Sequence, residues 1–253
     1  MLIDTHAHLN FNAYKDDTNE IIQRTLKNNV WLINVGSQYS TSKRAVEIAE
    51  KYEQGVYATV GLHPIHIQDN FGYQEYYKLA KSKKVMAIGE IGLDYKPEYL
   101  SFKKQQKQVF LEQLDLAKEL KLPVIFHCRM AHAELIEILK ARSGMLLHLP
   151  GVIHCFTGTL EQAEQYIEMG LYLGFNGLIF KMNQWDEVIK KIPLAKILLE
   201  TDCPYLPPPE FVGQRNEPLY VKYIAERIAK IKNISYQEVA KTTTLNAKKL
   251  FNL

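Results

Sequence analysis

The stretch LIDTHAHLN, residues 2–10, opens on a short apolar run and closes around two histidines, His6 and His8. Residues two apart on a strand share a face, so both histidines point the same way from the end of a first strand at Leu2–Thr5. An open, doubly wound sheet would place a glycine-rich phosphate turn directly after that strand. Residues 6–10 read HAHLN instead, which favours a barrel, where active sites collect at the C-terminal ends of strands.

The rest of the chain repeats the pattern. β-rich runs at Trp31–Val35, Val56–Val60, Val85–Gly89, Val124–Phe126, Val152–Ile153, Tyr172–Phe175 and Lys196–Glu200 alternate with helix-like stretches. These helical stretches lie at Thr18–Asn28, Ser40–Tyr52, Gln74–Lys81, Leu100–Leu120, Ala131–Ala141, Leu160–Met169 and Trp185–Lys191, with Glu217–Lys230 and Tyr236–Leu250 after the last strand. Gly170 and Pro193 stand where helices should stop. Eight strands with a helix after each predict an α/β fold, a (β/α)8 TIM barrel, as a single domain over residues 1–253. The length suits the fold, which typically needs about 250 residues. No internal repeat, low-complexity tract or linker interrupts it.

Bulk composition bounds the function loosely. Hydrophobic residues make up 47% and charged residues 23%, an ordinary soluble balance. The net charge of +3 neither supports nor excludes a nucleic-acid partner. The basic clusters at Lys81, Lys83, Lys84 and at Lys103, Lys104, Lys107 read as solvated helix faces. No apolar run approaches the roughly 18 residues of a membrane span, and Asp4, His6 and His8 interrupt any signal-peptide pattern. Three cysteines without a CxxC argue against a disulfide scaffold and for a reducing, cytoplasmic setting. Neither a membrane nor an obligate protein partner is expected.

The chemistry sits at the predicted strand ends. Strand four runs into Glu90, strand five into His127, strand six into His154 and strand eight into Asp202. A lone buried histidine is usually a satisfied core residue. Four histidines and two acids at the same end of five strands are a different matter. Imidazole and carboxylate together suit zinc, manganese or magnesium. Six such groups exceed the three protein ligands of a usual catalytic zinc, so one carboxylate would bridge two ions, and Glu90, midway round the barrel, can reach both sides. Two close ions can hold the attacking water and the leaving oxygen of a phosphodiester.

Other residues take their reading from alternation. Cys128, Cys155 and Cys203 each follow a proposed ligand, which makes them packing residues facing the helices if the ligands face inward. Asp4 shares a face with His6, and Glu200 with Asp202. Both should point into the barrel below the site, as structural partners or as groups that orient ligands. Arg129 shares a face with His127 and suits a phosphate. His63, in GLHP, faces the same mouth. Arg215, in GQRNEP, is a weaker phosphate candidate. His66, His132 and His148 fall in a loop or on helix flanks. Tyr14, Tyr95, Tyr205 and Phe180 are candidate base-stacking residues.

Taken together, IDTHAHL, VGLHP, AIGEIGLDY, the K-x-x-Q-x-x-x-F run from Lys103 to Phe110, PVIFHCRMA, HCFTG, GLYLGFNG, LLETDCPYLPPP and GQRNEP run in order from residue 3 to residue 218. In this the chain resembles the TatD family of metal-dependent deoxyribonucleases, in the amidohydrolase-like barrel superfamily. The combination is highly specific although each piece alone is not. The resemblance implies a two-metal site for magnesium, manganese or zinc. His6, His8 and Asp202 match the ligands of the first ion, Glu90 the bridge, and His127 and His154 the ligands of the second. Arg129 and His63 match positions facing the substrate phosphate. The implied activity is trimming of DNA, often from the 3′ end, with RNA as a further substrate class. Cys128 and Cys203 stand where many members carry serine. In the expected chemistry Asp202 orients the water and accepts its proton, with Glu90 the other catalytic residue and Arg215 a helper to Arg129 and His63. The alternatives are a metal-dependent esterase of the same fold, such as a D-aminoacyl-tRNA deacylase, and a non-catalytic metal- or nucleic-acid-binding protein.

Overall fold

The computed structural model describes residues 1–142 and 150–253; His148 lies outside the described residues. Eight strands form one sheet in sequence order: β1 (Leu2–Ala7), β2 (Val30–Val35), β3 (Val56–Val60), β4 (Val85–Asp94), β5 (Val124–Arg129), β6 (Gly151–Ile153), β7 (Tyr172–Phe175) and β8 (Ile197–Leu199). All neighbours are parallel, with Leu2 opposite Val30 and Val124 opposite Gly151. β8 returns to β1: Ala7 bridges Cys203, Asp202 N donates to His6 O at 2.9 Å, and His8 N donates to Cys203 O at 2.9 Å. The sheet is thereby a (β/α)8 barrel. Among the described residues its helices are α1 (Thr18–Lys27), α2 (Tyr39–Ala49), α3 (Tyr73–Ala80), α4 (Lys103–Leu120), α5 (His132–Ala141), α6 (Leu160–Glu168), α7 (Asp186–Lys191), α8 (Val221–Lys232) and α9 (Tyr236–Phe251). Among the described residues no helix is long and apolar enough to cross a membrane.

Local chemistry sets the helix ends. Before α6, Thr159 Oγ1 accepts from Gln162 N at 3.2 Å while Gln162 Oε1 accepts from Thr159 N at 2.9 Å, a reciprocal cap. Glycine at 170, with φ +87°, stops the same helix. Buried Ala163 and Tyr166 face the sheet.

Two apolar layers separate the inside of the barrel from the ring of helices. Ile3, Ile33, Ala87, Ile125, Val152 and Leu198 pack together inside, and Ala247, Leu250 and Phe251 of α9 join them. α9 is held at the strand beginnings, since Thr244 Oγ1 donates to Met1 O and Asn246 Nδ2 to Ile197 O. It seals the N-terminal end of the barrel and leaves the other end for polar groups. Full burial of each Ile, Val, Leu or Phe side chain in this layer is worth about 1.5–3 kcal/mol.

Alternation needs correcting in three places. Ile3 takes the inward position, so Asp4 points to the opposite face and not into the barrel with His6. A register shift between Asp4 and Ala7 returns His6 to the inside. β4 does not stop at Gly89 but runs to Asp94, with a register shift between Ile88 and Ile91. Its extra half pairs with the far half of β5, Gly92 opposite His127 and Asp94 opposite Arg129. Cys155 lies beyond β6 with φ +46°, and its thiol is pushed well above the ordinary range by burial and by the nearby Asp202 and Glu200 carboxylates. It faces the acids, not the helices.

His132 behaves as a core residue at the start of α5. Its Nδ1 lies 3.1 Å from Tyr166 Oη and its ring packs against Phe156. Burial, with His127 adding to it, lowers its pKa from 6.5 to about 4. The unfolded chain therefore binds more protons between those values, and this group costs stability as pH falls from about 6.5 to 4. In His132→Phe that cost is absent. The stability difference between wild type and variant, read from urea melts, should shift towards the variant by at most about 3 kcal/mol over that window. A difference independent of pH would contradict this.

Candidate metal centre

The open end of the barrel gathers the polar groups. His8 Nδ1 lies 2.9 Å from the Val35 carbonyl, which can only accept, so Nδ1 carries a proton and Nε2 is the nitrogen that faces the site. His6 Nε2 lies 3.2 Å from His8 Nε2 and 3.3 Å from Glu90 Oε2. The His6 ring stacks on His154 with centroids 3.5 Å apart. Asp202, at φ +56°, puts Oδ1 3.4 Å from His8 Nε2 and 3.9 Å from His154 Nε2.

Glu200 and Asp4, paired by alternation in the sequence, do different work. Glu200 Oε1 lies 3.0 Å from His154 Nδ1 and accepts from Cys155 N at 2.7 Å, so it aims the ring. Glycine at 174 makes room for it, because a Cβ there would sit 2.3 Å from Glu200 Oε2. Asp4 touches no imidazole. It accepts from Thr201 N at 2.9 Å, Thr201 Oγ1 at 2.6 Å and His6 N at 3.2 Å, pinning the two strand ends together. Glu200→Gln is expected to weaken metal binding about 10–100-fold, measured by competition with a chromogenic chelator. Unaltered affinity would show that His154 is aimed without it.

The opposite wall is built by β3, β4 and β5. His127 Nδ1 lies 2.6 Å from Glu90 Oε1 and its Nε2 3.1 Å from Asp94 Oδ2. Asp94 lies in the part of β4 beyond Gly89, which the sequence pattern does not mark as strand. It is locked in place by Gln106, whose Oε1 accepts from Asp94 N at 2.8 Å and whose Nε2 donates to Asp94 O at 2.9 Å. His63 Nε2 lies 3.0 Å from His127 Nδ1 and 3.5 Å from Glu90 Oε1. Its Nδ1 accepts from Ile65 N at 3.1 Å, so Nε2 of a neutral His63 carries the proton. That favours a hydrogen-bond donor over a metal ligand.

Electrostatics hold the acids ionised. Burial pushes Glu90 up, but His63, His154, His6 and His127 outweigh it and leave its pKa well below the usual carboxylate range. Asp202 is also pushed up by burial and brought below its ordinary value by the His8 hydrogen bond and the charges of His154 and His6. Burial would lower His154, yet Glu200 and Glu90 raise it to about 10. Burial, reinforced by His127, lowers His63 to about 4.

A divalent cation fits this donor set. Three overlapping groups, His6–His8–Glu90, His6–His154–Asp202 and His63–Glu90–His127, each bring their ligand atoms within 4.8 Å of one another. Buried carboxylates need positive partners, and protons on imidazoles can be exchanged for a metal ion. The surrounding pocket, about 420 Å³, is also lined by Arg129, Lys96, Tyr99 and Tyr205. The other sequence candidates lie elsewhere. Arg215 donates to Ala13 O and pairs with Asp17, its guanidinium 4.3 Å over the Tyr14 ring, and it does not line this pocket. Tyr14 and Tyr95 are buried, and Phe180 lines a separate cleft. His66, a loop residue by sequence, does reach the rim.

The family model for TatD related DNase matches residues 3–252. The chain belongs to the TatD family. It is 43% identical over the full length of both chains to a metal-dependent hydrolase, YabD, of Bacillus subtilis. It is 34% identical, again over the whole of both chains, to the 3′-5′ ssDNA/RNA exonuclease TatD of Erwinia tasmaniensis. The crystal structure of the TatD homolog YJJV from Escherichia coli superposes with a TM-score of 0.92 at 32% identity, covering 100% of this chain and 98% of that one. This TatD-family chain is thus a metal-dependent hydrolase, with histidine and carboxylate groups able to bind metal at its barrel mouth.

Proposed function

We propose that this chain hydrolyses phosphodiester bonds of single-stranded DNA or RNA, removing nucleotides from the 3′ end. The reading rests on His8, His127, His154, Glu90 and Asp202 lining one pocket beside an arginine, with His6 buried against His8, Glu90, His154 and Asp202. It is further supported by relatives named as 3′-5′ ssDNA/RNA exonucleases. His6, His8 and Asp202 would hold one divalent ion, His127 and His154 the other, with Glu90 between them. Bound there, the ions supply positive charge for the phosphoryl oxygens and a more acidic water.

The chain's own groups do the rest. Asp202, kept ionised by its histidine neighbours, orients the attacking water and takes up its proton. Arg129, exposed at the pocket edge, forks onto two phosphate oxygens. His63 donates from Nε2. His8, fixed by the Val35 carbonyl, and His154, fixed by Glu200, keep their positions through the cycle.

The test is incubation of protein loaded with magnesium, manganese or zinc with single-stranded DNA or RNA labelled at either end, and separately with D-Tyr-tRNA. A 5′-labelled strand should shorten progressively and a 3′-labelled one should release its label at once, both stopped by EDTA. Deacylation without strand shortening would overturn the proposal.

A further inference from the structure

A second cleft of about 460 Å³ adjoins the metal centre and shares Phe11, Ser37, His66 and Tyr205 with its pocket. We infer that this cleft is a second nucleotide subsite, in which Arg44 takes a strand phosphate and Phe11 with Tyr205 the adjoining base. The inference rests on the nuclease reading above and extends it to a residue outside the ligand set.

Four observations carry it. Arg44 lines the cleft from α2, is only partly exposed, and makes no ion pair or hydrogen bond among the described residues. A half-buried guanidinium without a partner is a ready receptor for a phosphate. Its position follows from glycine at 36, where a Cβ would lie 2.1 Å from Ser42 Oγ. Only there can the first turn of α2 come so close to the end of β2 and reach the barrel mouth.

Asn10, 1% exposed, lines the same cleft. Its amide donates to Val35 O and Thr41 O, both at 3.0 Å, and its Oδ1 has no partner. The Asn10 amide thus ties the end of β2 to the first turn of α2, the helix that carries Arg44 along the cleft wall. Finally, Phe11 stacks on His8 at 4.3 Å and 13°, and Tyr205 is 55% exposed, so an aromatic wall runs from the metal ligand into the cleft. A cation tracking the backbone beside rings that stack bases is how single strands are bound without sequence preference.

The test compares two substrates on wild type, Arg44→Met and Arg44→Lys: a single-stranded oligonucleotide, and thymidine 5′-p-nitrophenyl phosphate, which is too short to occupy both sites. Arg44→Met should lose about tenfold or more in kcat/KM on the oligonucleotide and stay within twofold on the nitrophenyl ester. Its log–log salt slope on the oligonucleotide should flatten by about 0.7, and Arg44→Lys should restore that slope. Equal loss on both substrates, or no loss on either, overturns the subsite and leaves the nuclease reading standing. If the wild type cleaves the ester but no oligonucleotide, both fall together.

Discussion

Asp202→Asn should lower turnover on single-stranded DNA by about 10²–10³-fold at matched metal occupancy. Asparagine keeps the shape of the side chain and its 3.4 Å approach to His8, so KM should change little while kcat collapses. The carboxylate does two things an amide cannot. It is ionised despite its burial because the His8 hydrogen bond and the His154 and His6 charges hold it so, and an ionised oxygen can accept a proton from water. Its charge would also balance the proposed cations. Rapid-quench kinetics on metal-reconstituted protein separates these roles: full activity at equal metal content would refute Asp202 as the proton acceptor.

Glu90→Gln should act earlier, on metal retention itself. Four imidazoles surround this carboxylate, with His127 at 2.6 Å, His6 at 3.3 Å, His63 at 3.5 Å and His154 at 3.8 Å. The variant should lose at least one ion per chain, read by plasma mass spectrometry after gel filtration, and with it at least about 10³-fold in activity. Retention of full metal stoichiometry would remove Glu90 from the ligand set.

The metal-free protein offers a second readout of the same residue. Glu90 has its pKa held below 4.5, so its stabilising contribution is present above that value. His154, raised from 6.5 to about 10, contributes fully below 6.5 and loses its contribution as pH rises through 10. The stability gap between wild type and Glu90→Gln should therefore be widest at about pH 4.5–6.5, on the order of 3–5 kcal/mol for a broken buried pair, and narrow above it. A gap that widens towards alkaline pH would contradict the assigned charges.

The clustering of the proposed ligands was legible because each histidine or acid follows a short apolar run, and such runs place their last residues at one end of a parallel sheet. Asp94 was not legible, since reading it requires knowing that β4 continues past Glu90 to pair with the far half of β5. Cys155 and Asp4 failed for a related reason: period-two alternation holds only while the ladder is regular, and it breaks before or beside both. Arg215 reads in sequence as a weaker phosphate candidate, yet the fold brings it against Asp17, 198 positions away.

The sequence by itself determined the barrel, the donor types and their common end, because these depend on local periodicity and on chain order. Tertiary structure alone decided which face each donor takes, which carboxylate aims His154, which nitrogen of His8 and of His63 is free, and that Arg44 stands beside the site. Those features depend on register shifts and close approaches between distant segments, which no local pattern encodes.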